Sequence, residues 1–135
     1  MKQTLIRQIA ESGIMTASAN TLDAAQAYKV LRWKSAIKKA YEDQEEARKS
    51  ILKEVFTEDE LTRLNSGNAD EELQPKLQRF SDLYGSLMGE EVNLDLKKVP
   101  YEAWHALSKE NSLKLGVLET ELEGVLFDAP KEEGE

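Results

Sequence analysis

His105 is the only histidine in the chain, and it follows Glu102 by three residues in the run "YEAWHALSK". On a helix that spacing places imidazole and carboxylate on one face. A general base needs an orienting carboxylate and a nucleophile in reach. The spacing offers only the first, so His105 reads as an ordinary interfacial histidine, and catalysis by His105 with Glu102 is the weakest of three functional readings. Carboxylates cluster at Glu42, Asp43, Glu45 and Glu46, at Glu58, Asp59 and Glu60, and at Glu90 and Glu91. Helical metal sites combine carboxylates with histidines on a shared face, and none of these clusters contains a histidine. Lys38, Lys39, Arg48 and Lys49 surround the first cluster, which therefore reads as a solvated charged face. "GSLMG" at Gly85–Gly89 has its serine off-centre in a helical stretch, so it is not a nucleophile elbow. There is no phosphate loop, no dinucleotide fingerprint and no cysteine, which leaves out thiolate metal sites and cysteine nucleophiles. The expectation is no catalytic residue, no metal and no cofactor.

The remaining chemistry lies in "YKVLRWKSAIKKAY", Tyr28 to Tyr41, where five cations alternate with three aromatic rings. Proteins that grip phosphate backbones use these residue types. Helical phase argues otherwise. At about 100° per residue Val30, Trp33, Ile37 and Tyr41 form one stripe, and the cations are spread along its flanks. Trp33 then reads as core. The candidate basic face is Arg32, Lys34, Lys38 and Lys39. The net charge of −8 counts against nucleic acid, since that binding needs many cations acting together.

The element that carries this segment is a long helix. No Gly or Pro occurs from Leu22 to Phe56, Asn20 or Thr21 can cap its start, and Asp23 falls in its first turn. Apolar residues continue at helical spacing through Ala47, Ile51 and Val55. "TEDE" at Thr57–Glu60 is a capping box that opens a short helix through Leu64. "NSGN" breaks the chain, and a further helix is expected from Asp70, with Pro75 in its first turn. Leu73, Leu77, Phe80, Tyr84 and Leu87 make its stripe. Gly85 inside it suggests the close approach of another backbone, and Gly89 suits a stop.

The period changes at "EEVNLDLKKVP", where Val92, Leu94 and Leu96 alternate with Asn93, Asp95 and Lys97. This predicts a strand over 91–97, paired with residues 3–9, with 112–117 or with a second subunit. Residues 1–19 read as strand, helical turn or loop. A short helix follows Pro100 with Trp104 and Leu107 inward, and a last helix spans Leu118–Phe127. The whole is a mainly α fold, with a long helix packed by shorter amphipathic helices and a small β element. One domain covers residues 1–129, and an acidic tail over 130–135 is expected to be disordered.

Hydrophobic residues make up 40% of the chain and charged residues 33%, a globular composition. Charge is uneven: residues 1–56 carry ten Lys/Arg against seven Asp/Glu, and residues 57–135 carry eight against nineteen. "ASA" at Ala17–Ala19 looks like a leader-cleavage site, but Arg7, Gln8 and Glu11 interrupt the apolar run that a leader needs. No segment approaches the ~18 apolar residues of a membrane span. The expected location is cytoplasmic, or virion-associated.

A helix of about 35 residues is ~52 Å long. A compact domain of this size is only ~37 Å across. Either the C-terminal helices cover the overhang or another protomer does, so a protein partner or a homodimer is expected. The candidate contact surface is Trp33, Ile37 and Tyr41, with Leu83 and Tyr84 opposite. The order of pieces, "LRWKSAIKKAYEDQEEARKSILKE" and then "FSDLYGSLMGEEVNLDL", resembles a domain-of-unknown-function family of small proteins encoded by tailed phages and prophages. The resemblance spans about residues 25–127. It implies a phage or prophage origin and a part in virion assembly or host takeover, and it carries over no site residue. The expected function is a non-enzymatic interaction or assembly protein. A nucleic-acid-associated regulator using the basic face is the alternative.

Overall fold

An uninterrupted run of helix formers from Ala24 to Val55 gives one 32-residue helix, around which the rest of the chain is arranged in the computed structural model. The structure describes residues 1–67 and 71–130. In chain order the helices are α1 (Gln3–Ala10), α2 (Ala24–Val55), α3 (Glu58–Asn65), α4 (Gln74–Met88), α5 (Tyr101–Asn111) and α6 (Val117–Leu122). Single 3₁₀ turns occupy Gly13–Thr16 and Glu71–Leu73. The mainly helical expectation holds.

The cap of α2 is neither Asn20 nor Thr21. Asp23 takes that place, its carboxylate accepting from the Gln26 amide at 2.9 Å, where the positive end of the helix dipole lies. The capping box at α3 forms as the sequence indicates. Thr57 Oγ1 accepts from the Glu60 amide, and a Glu60 carboxylate oxygen accepts from the Thr57 amide at 2.9 Å. The expected helix start at Asp70 lies outside the described residues; α4 begins at Gln74 with Pro75 in its first turn. Gly85 meets no other backbone, since a methyl group there would find open space. The last helix stops at Leu122, not Phe127. Gly124, at φ 82°, turns the chain, and its amide donates to Phe127 O at 2.8 Å. Residues 131–135 of the expected tail lie outside the described residues.

Of the alternatives for residues 3–9 (strand, helical turn or loop) the helical one is found: they lie in α1, with Ile6 and Ile9 buried. That removes the expected strand partner, because a helix keeps its backbone donors and acceptors to itself. The other candidate, 112–117, begins with a left-handed Ser112 and curls into α6. Residues 91–97 consequently form no strand, and the described residues show only isolated bridges, Lys2 with Glu91, Val99 with Phe127 and Glu123 with Phe127. The alternation itself is real: Val92, Leu94 and Leu96 are half-buried, while Asn93, Asp95 and Lys97 are exposed. This extended strap over the core is held at its ends and by side chains. The Val92 amide donates to Met1 O at 2.6 Å, Trp33 Nε1 to Lys97 O at 2.7 Å and Lys29 Nζ to Lys98 O at 3.2 Å.

The main core gathers Ile6, Ile9 and Ile14 with the first half of α2 (Val30, Trp33, Ile37, Ala40) and with Trp104, Leu107, Leu122, Leu126 and Phe127. The Trp104 and Phe127 rings stack at 4.6 Å between centroids. The second half of α2 leaves this core, and its own chain half-covers it, with Ala47, Ile51 and Val55 half-buried. Beyond α3 at the tip, α4 returns antiparallel, tied by Lys76 to Glu60 at 2.5 Å at the far end and by Thr4 Oγ1 to Met88 O at 3.0 Å at the near end. Phe56 is buried there against Phe80, with ring centroids 6.4 Å apart, and Phe80 stacks on Tyr84 at 5.6 Å. The overhang that a ~48 Å helix must have is thus an internal helical arm.

Candidate interaction surface

Burying Val30, Trp33, Ile37 and Ala40 fixes the rotation of α2, and whatever lies half a turn away must face out. Those residues are Tyr28, Leu31, Arg32, Ser35, Lys38 and Lys39, all exposed. Tyr28 and Leu31 are 61% and 59% exposed, and with Val117 at 78% they are the large exposed hydrophobics among the described residues. From Ala24 to Tyr41 there are five cations and no carboxylate, so the charges that this segment itself contributes are all positive, with Asp95 of the strap beside Tyr28 and Arg32.

A broken groove runs between α2 and the strap. One part, about 220 Å³, is walled by Tyr28, Lys29, Arg32, Asp95 and Lys97. The next, about 350 Å³, is walled by Gln3, Ala36, Lys39, Ala40, Asp43, Val92 and Leu94. The strap is therefore structural and also forms one lip of the surface.

The expected contact residues sit differently. Trp33 and Ile37 are 1% and 0% exposed, inside the chain's own core, and have no surface to give a partner. Tyr41 is half-buried beneath α1, with the Arg7 guanidinium 5.4 Å from its ring centroid. Leu83 and Tyr84 are half-buried on α4, within the arm. Trp33 and Ile37 of the stripe that the sequence marks are thus interior, and the exposed face of α2 lies opposite the stripe. Among the basic residues, Lys34 is committed, its Nζ donating to Ala17 O. Arg32, Lys38 and Lys39 are exposed and make no ion pair among the described residues.

Where α1 crosses α2 there is a polar knot that sequence reasoning missed. Gln44 is 1% exposed, on the buried phase of α2. Its Nε2 donates to Gln3 O and Gln3 Oε1, both at 2.9 Å, and its Oε1 accepts from Arg7 Nη1 at 3.1 Å. Arg7 also donates to Glu45 at 2.8 Å, and Glu45 accepts from Arg48 at 3.1 Å. The hydrogen bonds from Arg7 and then Arg48 hold the Glu45 carboxyl below the usual carboxylate range, and Glu45 in turn raises Arg7. Every member has a partner, so the knot fixes the crossing.

His105 is exposed, and its ring lies 6.0 Å from that of Tyr101. Glu102 and His105 are at Glu-x-x-His spacing, but among the described residues no group of three or more His, Asp or Glu could hold a metal ion. No helix among them is long and apolar enough to cross a membrane. Comparison of the chain with family models, with curated proteins and with solved structures finds no match in any of the three.

Proposed function

We propose that the protein acts without catalysis, as an interaction or assembly protein that binds another protein through the outward face of the first half of α2. The observation that carries this reading is the placement of Tyr28 and Leu31, one helical turn apart and exposed, on the side of α2 that also carries the exposed Arg32 and Lys38. Aromatic side chains and arginine are enriched in protein contacts, and Tyr28 and Arg32 supply one of each here. α2 is anchored at its other face by Trp33 and Ile37, so the surface is rigid before it binds and loses little order on binding. The resemblance to small tailed-phage proteins makes a virion or host-takeover complex the setting to examine first.

The test is a photo-crosslinking residue at position 28, with position 50 as an exposed control on the same helix. A discrete protein adduct from position 28 and none from position 50 supports the reading. Equal labelling from both positions, or none from either, overturns it.

A second reading, a nucleic-acid-associated regulator, draws on Arg32, Lys38 and Lys39 being exposed and unpaired on one stretch free of carboxylates. It requires binding that strengthens steeply as salt falls. A mobility shift that is absent at low salt removes it.

A further inference from the structure

The third large exposed hydrophobic, Val117, opens a region of opposite sign. From Leu115 to Pro130 there are four carboxylates, Glu119, Glu121, Glu123 and Asp128, and no cation. Glu119 accepts from Trp104 Nε1 at 2.9 Å and Asp128 pairs with Lys98 at 3.2 Å. Glu121 and Glu123 are exposed and make no ion pair among the described residues. All three large exposed hydrophobics among the described residues thus fall in two sequence segments, one with cations and no carboxylate and one with carboxylates and no cation; in space Asp95 lies beside Tyr28 and Arg32, and Lys2 beside Glu121. No ion pair between the two segments occurs within the chain among the described residues.

Resting on the reading of α2 as a protein-binding face, we infer that its partner is a second copy of this chain, docking head to tail. Tyr28, Leu31, Arg32 and Lys38 of one copy meet the Val117, Glu121 and Glu123 region of the next. Burying exposed apolar side chains supplies the attraction. The charges of the two patches set the register and suppress like-with-like pairings. Because the two patches differ, a bound pair still presents one free patch of each kind, one on each copy. The contact is heterologous, and it repeats into a ring or an open chain.

The experiment is analytical ultracentrifugation of the full chain and two charge-reversed forms, R32E/K38E and E121K/E123K. All four positions are exposed, so both forms are expected to keep the wild-type circular dichroism. Wild-type weight-average mass should rise at least twofold above 15.3 kDa with concentration at low salt. It should fall back as salt increases from 0.01 M to 1 M, over which the Debye length shrinks from about 30 Å to about 3 Å. Each reversed form alone should stay monomeric, and an equimolar mixture of the two should associate, because complementary patches are then present across molecules. A wild type that stays monomeric throughout overturns self-association. It leaves the α2 face as a binding surface if position 28 still crosslinks to a different protein. Association unaffected by both reversals, or a mixture that stays monomeric, overturns the pairing of these two patches.

Discussion

Replacing Trp33 by Phe tests whether side chains of α2, and not a strand ladder, hold the strap over residues 91–98. Trp33 is 1% exposed, and its Nε1 donates to Lys97 O at 2.7 Å. Phe keeps the aromatic body and deletes the donor. The lost hydrogen bond is worth about 1 kcal/mol net, because the freed carbonyl lies near solvent and can find water. Indole exceeds phenyl by roughly 40 Å³, and at ~24 cal/mol per Å³ of residual cavity this adds about 1 kcal/mol. The expected loss is therefore about 2 kcal/mol in urea unfolding, or roughly 4–8 °C in Tm for a chain of this size. Hydrogen exchange read by mass spectrometry should show faster exchange across residues 92–98, with the far end of the arm unchanged. Lys97→Ala is the control. Its side chain is 72% exposed and pairs with the exposed Asp95 carboxylate at 3.5 Å, a surface contact worth little, so it should change stability by less than about 0.5 kcal/mol. If Trp33→Phe loses less than about 0.5 kcal/mol and leaves exchange in the strap unaltered, the strap is held by something else and the account of its geometry fails.

Other consequences follow from single residues. Tyr28→Ser with Leu31→Ser should leave folding stability within about 0.5 kcal/mol, as surface changes do, while abolishing association or the position-28 adduct; a large drop in Tm would show that these side chains are structural. Gln44→Leu should cost about 1–3 kcal/mol by chemical denaturation, since it takes one acceptor from Arg7 and the side-chain donor from the Gln3 carbonyl and amide oxygens. An unchanged or raised midpoint would mean that the knot contributes nothing to the crossing. Glu60 is held down at about 2, from an ordinary 4.5, first by the Lys76 ammonium and then by the Thr57 amide. A depressed carboxylate stabilises the fold above its unfolded pKa and loses that contribution as pH falls through the folded one. Glu60→Gln should therefore speed exchange in α3 and the start of α4 at pH 7, with the difference from wild type shrinking between about pH 4.5 and about pH 2. A difference that is constant across that range refutes the ion-pair origin.

Local signals were read directly from the residues. The capping box at Thr57 and Glu60, the uninterrupted run to Val55 and the inward phase of Val30, Trp33 and Ile37 depend only on residues within a few positions of one another, and all three are present. The N-cap was misplaced by two or three residues because Asn20, Thr21 and Asp23 are all competent caps. Which one is used depends on where the chain enters the helix. Tyr28 and Leu31 are legible in the sequence as residues half a turn from the buried stripe, but periodicity marks the stripe and gives the opposite face no signal of its own.

What the sequence by itself determined is helix, phase and charge: α2 must form, one side of it must be buried, and its first half must be positive. It could not determine which side faces a partner. A hydrophobic stripe has the same pattern whether it is covered by its own chain or by another. Only the tertiary structure decided that α1 and the C-terminal segments cover Trp33 and Ile37 and that α4 folds back over the arm. The strap shows the same limit from the other direction. Alternation at Val92, Leu94 and Leu96 fixed which side chains point inward, but a strand also needs a neighbouring backbone with free donors and acceptors. With residues 3–10 coiled into a helix, that neighbour was not there, and the indole of Trp33 and the ammonium of Lys29 took its place.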